Sequence, residues 1–205
     1  MSILIAVKNN GKIYMGGDRE VSRDGMAATS TARVWESPQS KGVMIGCISP
    51  SNIITNLKTE ILFDAGNWFA GYKLFDYSAI KQMVNRIRTQ FRYCIGDEES
   101  YAEYENGAWE MNAQFLMSRN DILFAVDQHG TPVEIDDFCS IGSGSSYAFN
   151  SLASTTGADD PVECIKKALY ECIRNGVKID FPFSVWCTNQ NCADELVTLY
   201  EKDFM

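Results

Sequence analysis

The chain has 205 residues, 45% of them apolar and 22% charged, with a formal net charge of −9. A length like this buries one core without splitting, so a single domain over residues 1–205 is expected; no apolar run reaches the roughly 20 residues that cross a bilayer. The acidic balance carries no Lys/Arg cluster that could neutralise phosphates, which argues against a nucleic-acid binder.

The first residues, Met1 to Val7, are apolar but short, lack a basic flank and run straight into Lys8-Asn9-Asn10-Gly11, so they read as a strand and not as a secretory signal. Residues 3–7 and 12–16 are two such runs, and the Asn-Gly between them predicts a hairpin because both residues tolerate positive φ. A second strand pair is expected at 33–35 and 41–47. Ser49-Pro50 has the form of an N-cap followed by proline at the first helical position, and Ile53, Ile54, Leu57 and Ile61 share one face of a helix ending near Asp64. Another helix starts around Ser78, with Ile80, Met83, Val84, Ile87 and Phe91 forming its apolar stripe. The acidic, tyrosine-rich stretch from Gly96 to Met111 has no clear period and reads as a surface loop or irregular edge.

From residue 113 the period returns to two: Ala113–Ser118, Ile122–Val126, Pro132–Ile135 and Cys139–Ile141 predict a β-meander with turns at Arg119-Asn120-Asp121 and His129-Gly130. A helix over Ser146–Ala153 follows Gly142-Ser143-Gly144. Asp160-Pro161 opens the next helix, with Val162, Ile165, Leu169, Cys172 and Ile173 inward and Gly176 as its stop. A last strand is expected over Phe181–Thr188. Strands, two helices, strands, two helices and a strand bury every apolar face if two sheets stack and a helix pair covers each outside, which predicts a four-layer αββα sandwich of the α+β class.

The seven cysteines form no CxxC pair, and Cys164 and Cys172 fall on an apolar helical face, as buried thiols do. A reducing, cytoplasmic setting follows as the expectation, with no metal and no cofactor. The single histidine, His129, lies in a turn-like segment, so chemistry that needs a catalytic histidine is not expected.

Three motifs, taken in order, resemble the proteasome β-subunit/HslV family of N-terminal-nucleophile hydrolases. They are Ser2-Ile3-Leu4-Ile5-Ala6-Val7 through Gly16-Gly17-Asp18, then Ala32-Arg33-Val34, then Ile141-Gly142-Ser143-Gly144-Ser145-Ser146-Tyr147-Ala148. Within that family the likeness leans towards small proteasome-like proteins of bacteria and their phages. It implies that Met1 is trimmed and that Ser2 becomes both nucleophile and, through its freed α-amine, base. It implies further that Asp18 matches the aspartate holding the family's lysine, that Arg33 falls in the lysine's place if one residue is deleted between them, and that Ser143 orients the amine. A backbone N–H at Gly46 or Cys47 would stabilise the oxyanion.

Two departures accompany the match. The family's second aspartate would fall near Asn175-Gly176, with Asp180 too far along, and serine stands in place of threonine, losing the methyl group that fixes the hydroxyl rotamer. Arginine keeps a positive charge but cannot shuttle a proton. The implied protein is a homo-oligomeric ring cleaving peptides or unfolded proteins, weakly if at all, with an unfoldase as a further partner. The alternatives are an inactive scaffold or partner-binding relative, and an amidase acting on a small substrate.

Overall fold

The computed structural model describes residues 2–24, 27–37, 41–49, 54, 75–94, 102–105, 108–155, 160–179, 181–189 and 192–204. β1 (Ile3–Asn9) and β2 (Lys12–Asp24) form the opening hairpin, closed by Asn10 at φ 50° and Gly11 at φ 72°. Two consecutive positive φ values match the twist of the flanking strands, which is why Asn-Gly works there. β2 also pairs with β3 (Ala27–Ala32). β4 (Val34–Glu36) and β5 (Val43–Ile48) make the second strand pair. The predicted helix after Ser49 lies outside the described residues except for Ile54, which is helical and fully buried.

α1 (Tyr77–Cys94) begins one residue before the expected start, where the Asp76 carboxylate accepts from the Ala79 amide at 2.9 Å. Its Ile80, Met83, Val84 and Ile87 are buried, as the stripe predicts; the side chain of Phe91 lies outside the described set. Within the stretch read as a surface loop or irregular edge, β6 (Ala102–Glu105) and β7 (Ala108–Met111) pair antiparallel, Glu105 opposite Ala108. The signal was present, since Asn-Gly again separates two short alternating runs, but six acidic residues and three large aromatics in that stretch masked it.

β8 (Gln114–Arg119), β9 (Ile122–Val126) and β10 (Pro132–Glu134) run as a meander, and β5 and β4 complete that sheet in the order β10-β9-β8-β5-β4. The fourth predicted meander strand does not join it. β11 (Phe138–Gly142) crosses to the other sheet and pairs with β1, Ile3 opposite Gly142, giving the order β11-β1-β2-β12-β13. Local alternation cannot distinguish the two pairings, because strand partners are chosen by long-range packing. β12 (Phe183–Asn189) matches the expected last strand, but β13 (Cys192–Leu199) follows it and was missed. Its Asp194-Glu195 pair on an exposed edge breaks the apolar pattern.

α2 (Ser145–Thr155) and α3 (Pro161–Arg174) cover the outer face of the β1 sheet. Asp160 caps α3 by accepting from the Val162 and Glu163 amides at 2.9 and 3.3 Å, and Gly176 ends the segment at φ 77°. β1 shows how the layers form: Ile3, Ile5 and Val7 pack under α2 and α3, while Leu4 and Ala6 meet Met44, Leu116 and Leu123 of the other sheet. β5 repeats the arrangement, with Val43, Ile45 and Cys47 facing α1. Helix, sheet, sheet and helix are therefore stacked as an αββα sandwich.

The two sheets are also joined by a polar staple. Buried Thr188 of β12 accepts from the Ile13 amide at 2.8 Å and donates to the carbonyl of Asn120, in the β8–β9 turn, at 2.7 Å. Thr188→Val conserves shape and strands both partners, so urea unfolding should show a loss of about 1–3 kcal/mol.

Candidate active site

Ser2 stands immediately before β1, and the register of the first sheet brings two predicted site residues to it. Because β11 pairs with β1 through Gly142, Ser143 lands beside Ser2. Ser143 Oγ accepts from Ser2 N at 3.2 Å and donates to the Ser2 carbonyl at 3.2 Å, and the Ser143 amide donates to the same carbonyl at 3.0 Å. Gly142 permits this approach. Its φ is 101°, and a Cβ there would overlap the Ser2 carbonyl oxygen. Gly142→Ala should therefore cost about 1–3 kcal/mol from backbone strain alone, and should slow any labelling of Ser2 more than Thr188→Val does, when melting and labelling rates are compared side by side.

On the other neighbour, the β1–β2 hairpin sets Asp18 across from the start of β1, and its Oδ1 accepts from the Ile3 amide at 2.9 Å. The same oxygen lies 3.2 Å from Nε of Arg33, which enters just ahead of β4. Asp18 is 2% exposed and Arg33 3%, so the pair is a buried one. Burial pushes the Asp18 carboxyl above the ordinary carboxylate value, against the downward pull of the Arg33 guanidinium and the Ile3 amide. Arg33 also donates from Nη1 to the Ser49 carbonyl at 3.2 Å, and Ser49 Oγ donates to the Asn112 carbonyl at 2.8 Å.

Ser2, Asp18, Arg33 and Ser143 thus converge at one end of the sandwich. Gly46 and Cys47 do not present free donors. Gly46 is interior to its sheet, opposite Val34 on one side and Leu116 on the other, and the Cys47 amide donates to the Arg33 carbonyl at 2.9 Å. β5 runs on to Ile48, one residue beyond the expected strand-to-helix junction, so the Cys47 amide stays within the pairing of the strand edge. Asn175 closes α3, its Nδ2 donating to the Glu171 carbonyl at 2.8 Å, and Asp180 lies outside the described residues. His129 sits in the β9–β10 turn, where Asp127 accepts from the His129 and Thr131 amides.

No protein-family model matches this sequence, and no curated protein matches it. Solved structures do. Thiobacillus denitrificans BPH superposes with a TM-score of 0.67 at 14% identity, over 91% of this chain and 97% of that one. BPH in complex with epoxomicin gives 0.66 at 14% identity, over 91% and 98%. The eukaryotic HslV from Trypanosoma brucei gives 0.64 at 15% identity, over 90% and 98%. The fold is proteasome/HslV-like. At such low identity the likeness speaks for the architecture of the HslV-like sandwich alone, and the site must be judged on its own geometry.

A cleft that no local feature of the chain announces opens beside Ser143. It has a volume of about 550 Å³ and is walled by the end of β5, the segment leading into β8 and the β11–α2 turn. The first two meet because β5 and β8 pair in one sheet, Ile48 opposite Gln114, and the third joins them because β11 changes sheets.

Proposed function

We propose that this chain is a hydrolase of peptide or other amide bonds in which Ser2, exposed by removal of Met1, is the nucleophile. The observation that carries the reading is the double link between Ser2 and Ser143 next to the buried Asp18–Arg33 pair. While Met1 is attached, Ser2 N is an amide nitrogen and cannot act as a base. Once Met1 is removed, an amine appears at the same place, with an ordinary pKa of about 8, able to take the hydroxyl proton directly or through a water. Ser143 Oγ, already bonded to that nitrogen, would then orient the amine's lone pair.

Asp18 and Arg33 would act by position. The carboxylate fixes the first amide of β1, and the guanidinium supplies a lasting charge without exchanging a proton. An oxyanion donor at Gly46 or Cys47 would require the Cys47 amide to leave the Arg33 carbonyl as substrate binds, a movement at the end of β4. Assembly into a ring draws support from the HslV-like fold; an unfoldase partner, a cytoplasmic setting and a phage or bacterial origin belong to the same reading.

Intact mass after exposure to a peptide epoxyketone tests the chemistry: loss of Met1 with an adduct on Ser2 is expected. A second reading, an inactive scaffold with this fold, is favoured by the committed Cys47 amide. Retained Met1 with no adduct would establish it over the first.

A further inference from the structure

The cleft beside Ser143 has an unusual chemical character. Its polar side chains among the described residues are Ser49, Asn112, Gln114, Gln128, Ser140, Ser143 and Ser145, and none of the described lining residues is charged. A pocket that selects a cation or a carboxylate needs an opposite charge in its wall, because a desolvated ion without one is strongly disfavoured. This wall offers amide and hydroxyl groups only.

Two of those groups are placed to receive a ligand. Gln128 is oriented from behind: its Nε2 donates to Glu110 Oε2 at 3.1 Å, and its backbone carbonyl accepts from Met111 N at 2.7 Å. That tether turns one side of the carboxamide to Glu110 and leaves Oε1 to accept. Gln114, at the first position of β8, is half-buried in the wall, and its side chain makes no hydrogen bond among the described residues. Its carboxamide is therefore met by solvent and not by another side chain, and a complementary ligand can take the place of that water. By contrast, Ser49 Oγ and Ser140 Oγ are committed to the carbonyls of Asn112 and Ser145 at 2.8 Å each.

We propose that this cleft is a side-chain pocket for a neutral carboxamide, that of glutamine or asparagine in a peptide, with Gln114 and Gln128 as the specificity-determining residues. A carboxamide offers both a donor and an acceptor and so can pair with amide groups of either sense in this wall. Lysine, arginine, aspartate and glutamate side chains would meet no opposite charge in the described wall itself, since Glu110 and Arg33 stand behind it and are engaged by Gln128 and Ser49, and leucine would pair with neither glutamine. The link from the pocket to the nucleophile is Ser143, which lines the cleft and bonds Ser2. That such a peptide is also cleaved rests on the hydrolase reading; that it binds here does not.

The test uses the full chain carrying Ser2→Ala, so that binding is read without turnover. Four capped tetrapeptides differing at one position, Gln, Glu, Lys or Leu, are titrated by isothermal calorimetry. The glutamine peptide should bind most tightly. Gln114→Leu should weaken it by about threefold to tenfold, the loss of one neutral hydrogen bond, while Gln114→Glu should move the preference to the lysine peptide. Thermal melting of both variants checks that they fold. Equal affinity for the four peptides, absence of binding, or an unchanged order of preference in folded Gln114→Glu protein overturns the proposal. Cleavage of the glutamine peptide by the chain with Ser2 intact is scored separately: binding without cleavage sinks the hydrolase reading and leaves the pocket standing, whereas cleavage without side-chain preference does the reverse.

Discussion

Ser2→Ala should reduce amide hydrolysis to background, a fall of at least about a thousandfold in kcat/KM, because a nucleophile that acts as a unit with its base leaves almost nothing behind when removed. The substitution is informative for a further reason. Alanine is as small as serine, so Met1 should still be trimmed, and the α-amine stays while the hydroxyl goes. Comparing the intact masses of the parent and the variant therefore separates a failure of processing from a failure of chemistry. In the parent, the rate should climb with pH as the amine loses its proton, around its ordinary value of about 8. A variant that cleaves at the parental rate would remove Ser2 from the mechanism.

Arg33→Met should be the most destabilising single change at the site. It deletes the charge paired with the Asp18 carboxyl and leaves a buried carboxylate with no ion partner among the described residues, at a cost of about 3–5 kcal/mol near neutral pH. The pH dependence follows from the direction of the shift. Burial already raises Asp18 above its ordinary value, and losing the guanidinium raises it further. A carboxyl whose folded-state pKa is raised contributes stability that is fully present below the unfolded value and is lost as pH rises through the folded one. The deficit of Arg33→Met should therefore be smallest in acid, stay constant through the ordinary carboxylate range where both proteins hold Asp18 protonated, grow as pH rises through the parent's raised Asp18 value, and level off once Asp18 is ionised in the variant as well.

Adding Asp18→Asn to Arg33→Met should restore most of the loss and flatten this pH profile. The asparagine Oδ1 can still accept from the Ile3 amide, and no unpaired charge remains. Urea unfolding of the parent, the single and the double variant between acid and neutral pH gives the comparison. A double variant no more stable than Arg33→Met would mean that the pair holds the site by shape and not by charge balance. Peptide hydrolysis by a well-folded double variant then asks whether the cation matters to the chemistry.

Much of the sandwich was legible because its elements carry local signatures. Asn10-Gly11 announced the first hairpin and Asp160-Pro161 the start of α3, each through a backbone geometry that few residues adopt. Alternation in β1 and β5 is less direct, since both faces are buried and apolar residues run without a break; the turns on either side, and not the period, marked these strands. The β6–β7 hairpin and β13 were lost where acidic side chains interrupt short strands, because an edge strand needs no apolar face to pair.

The motif residues Ser2, Asp18, Arg33 and Ser143 were identifiable in the chain as a resemblance, and their types already defined what an amine, a carboxylate and a guanidinium could do there. Whether they meet was a different matter. Contact between Ser2 and Ser143 depends on β11 leaving the meander for the opposite sheet, and so does the neutral cleft beside them. The engagement of the Cys47 amide depends on how far β4 pairs along β5. Turns and caps are settled within a few residues by local sterics and hydrogen bonding. Strand partners and pocket walls are settled by which faces bury best across the whole fold, and that choice is written in no single segment.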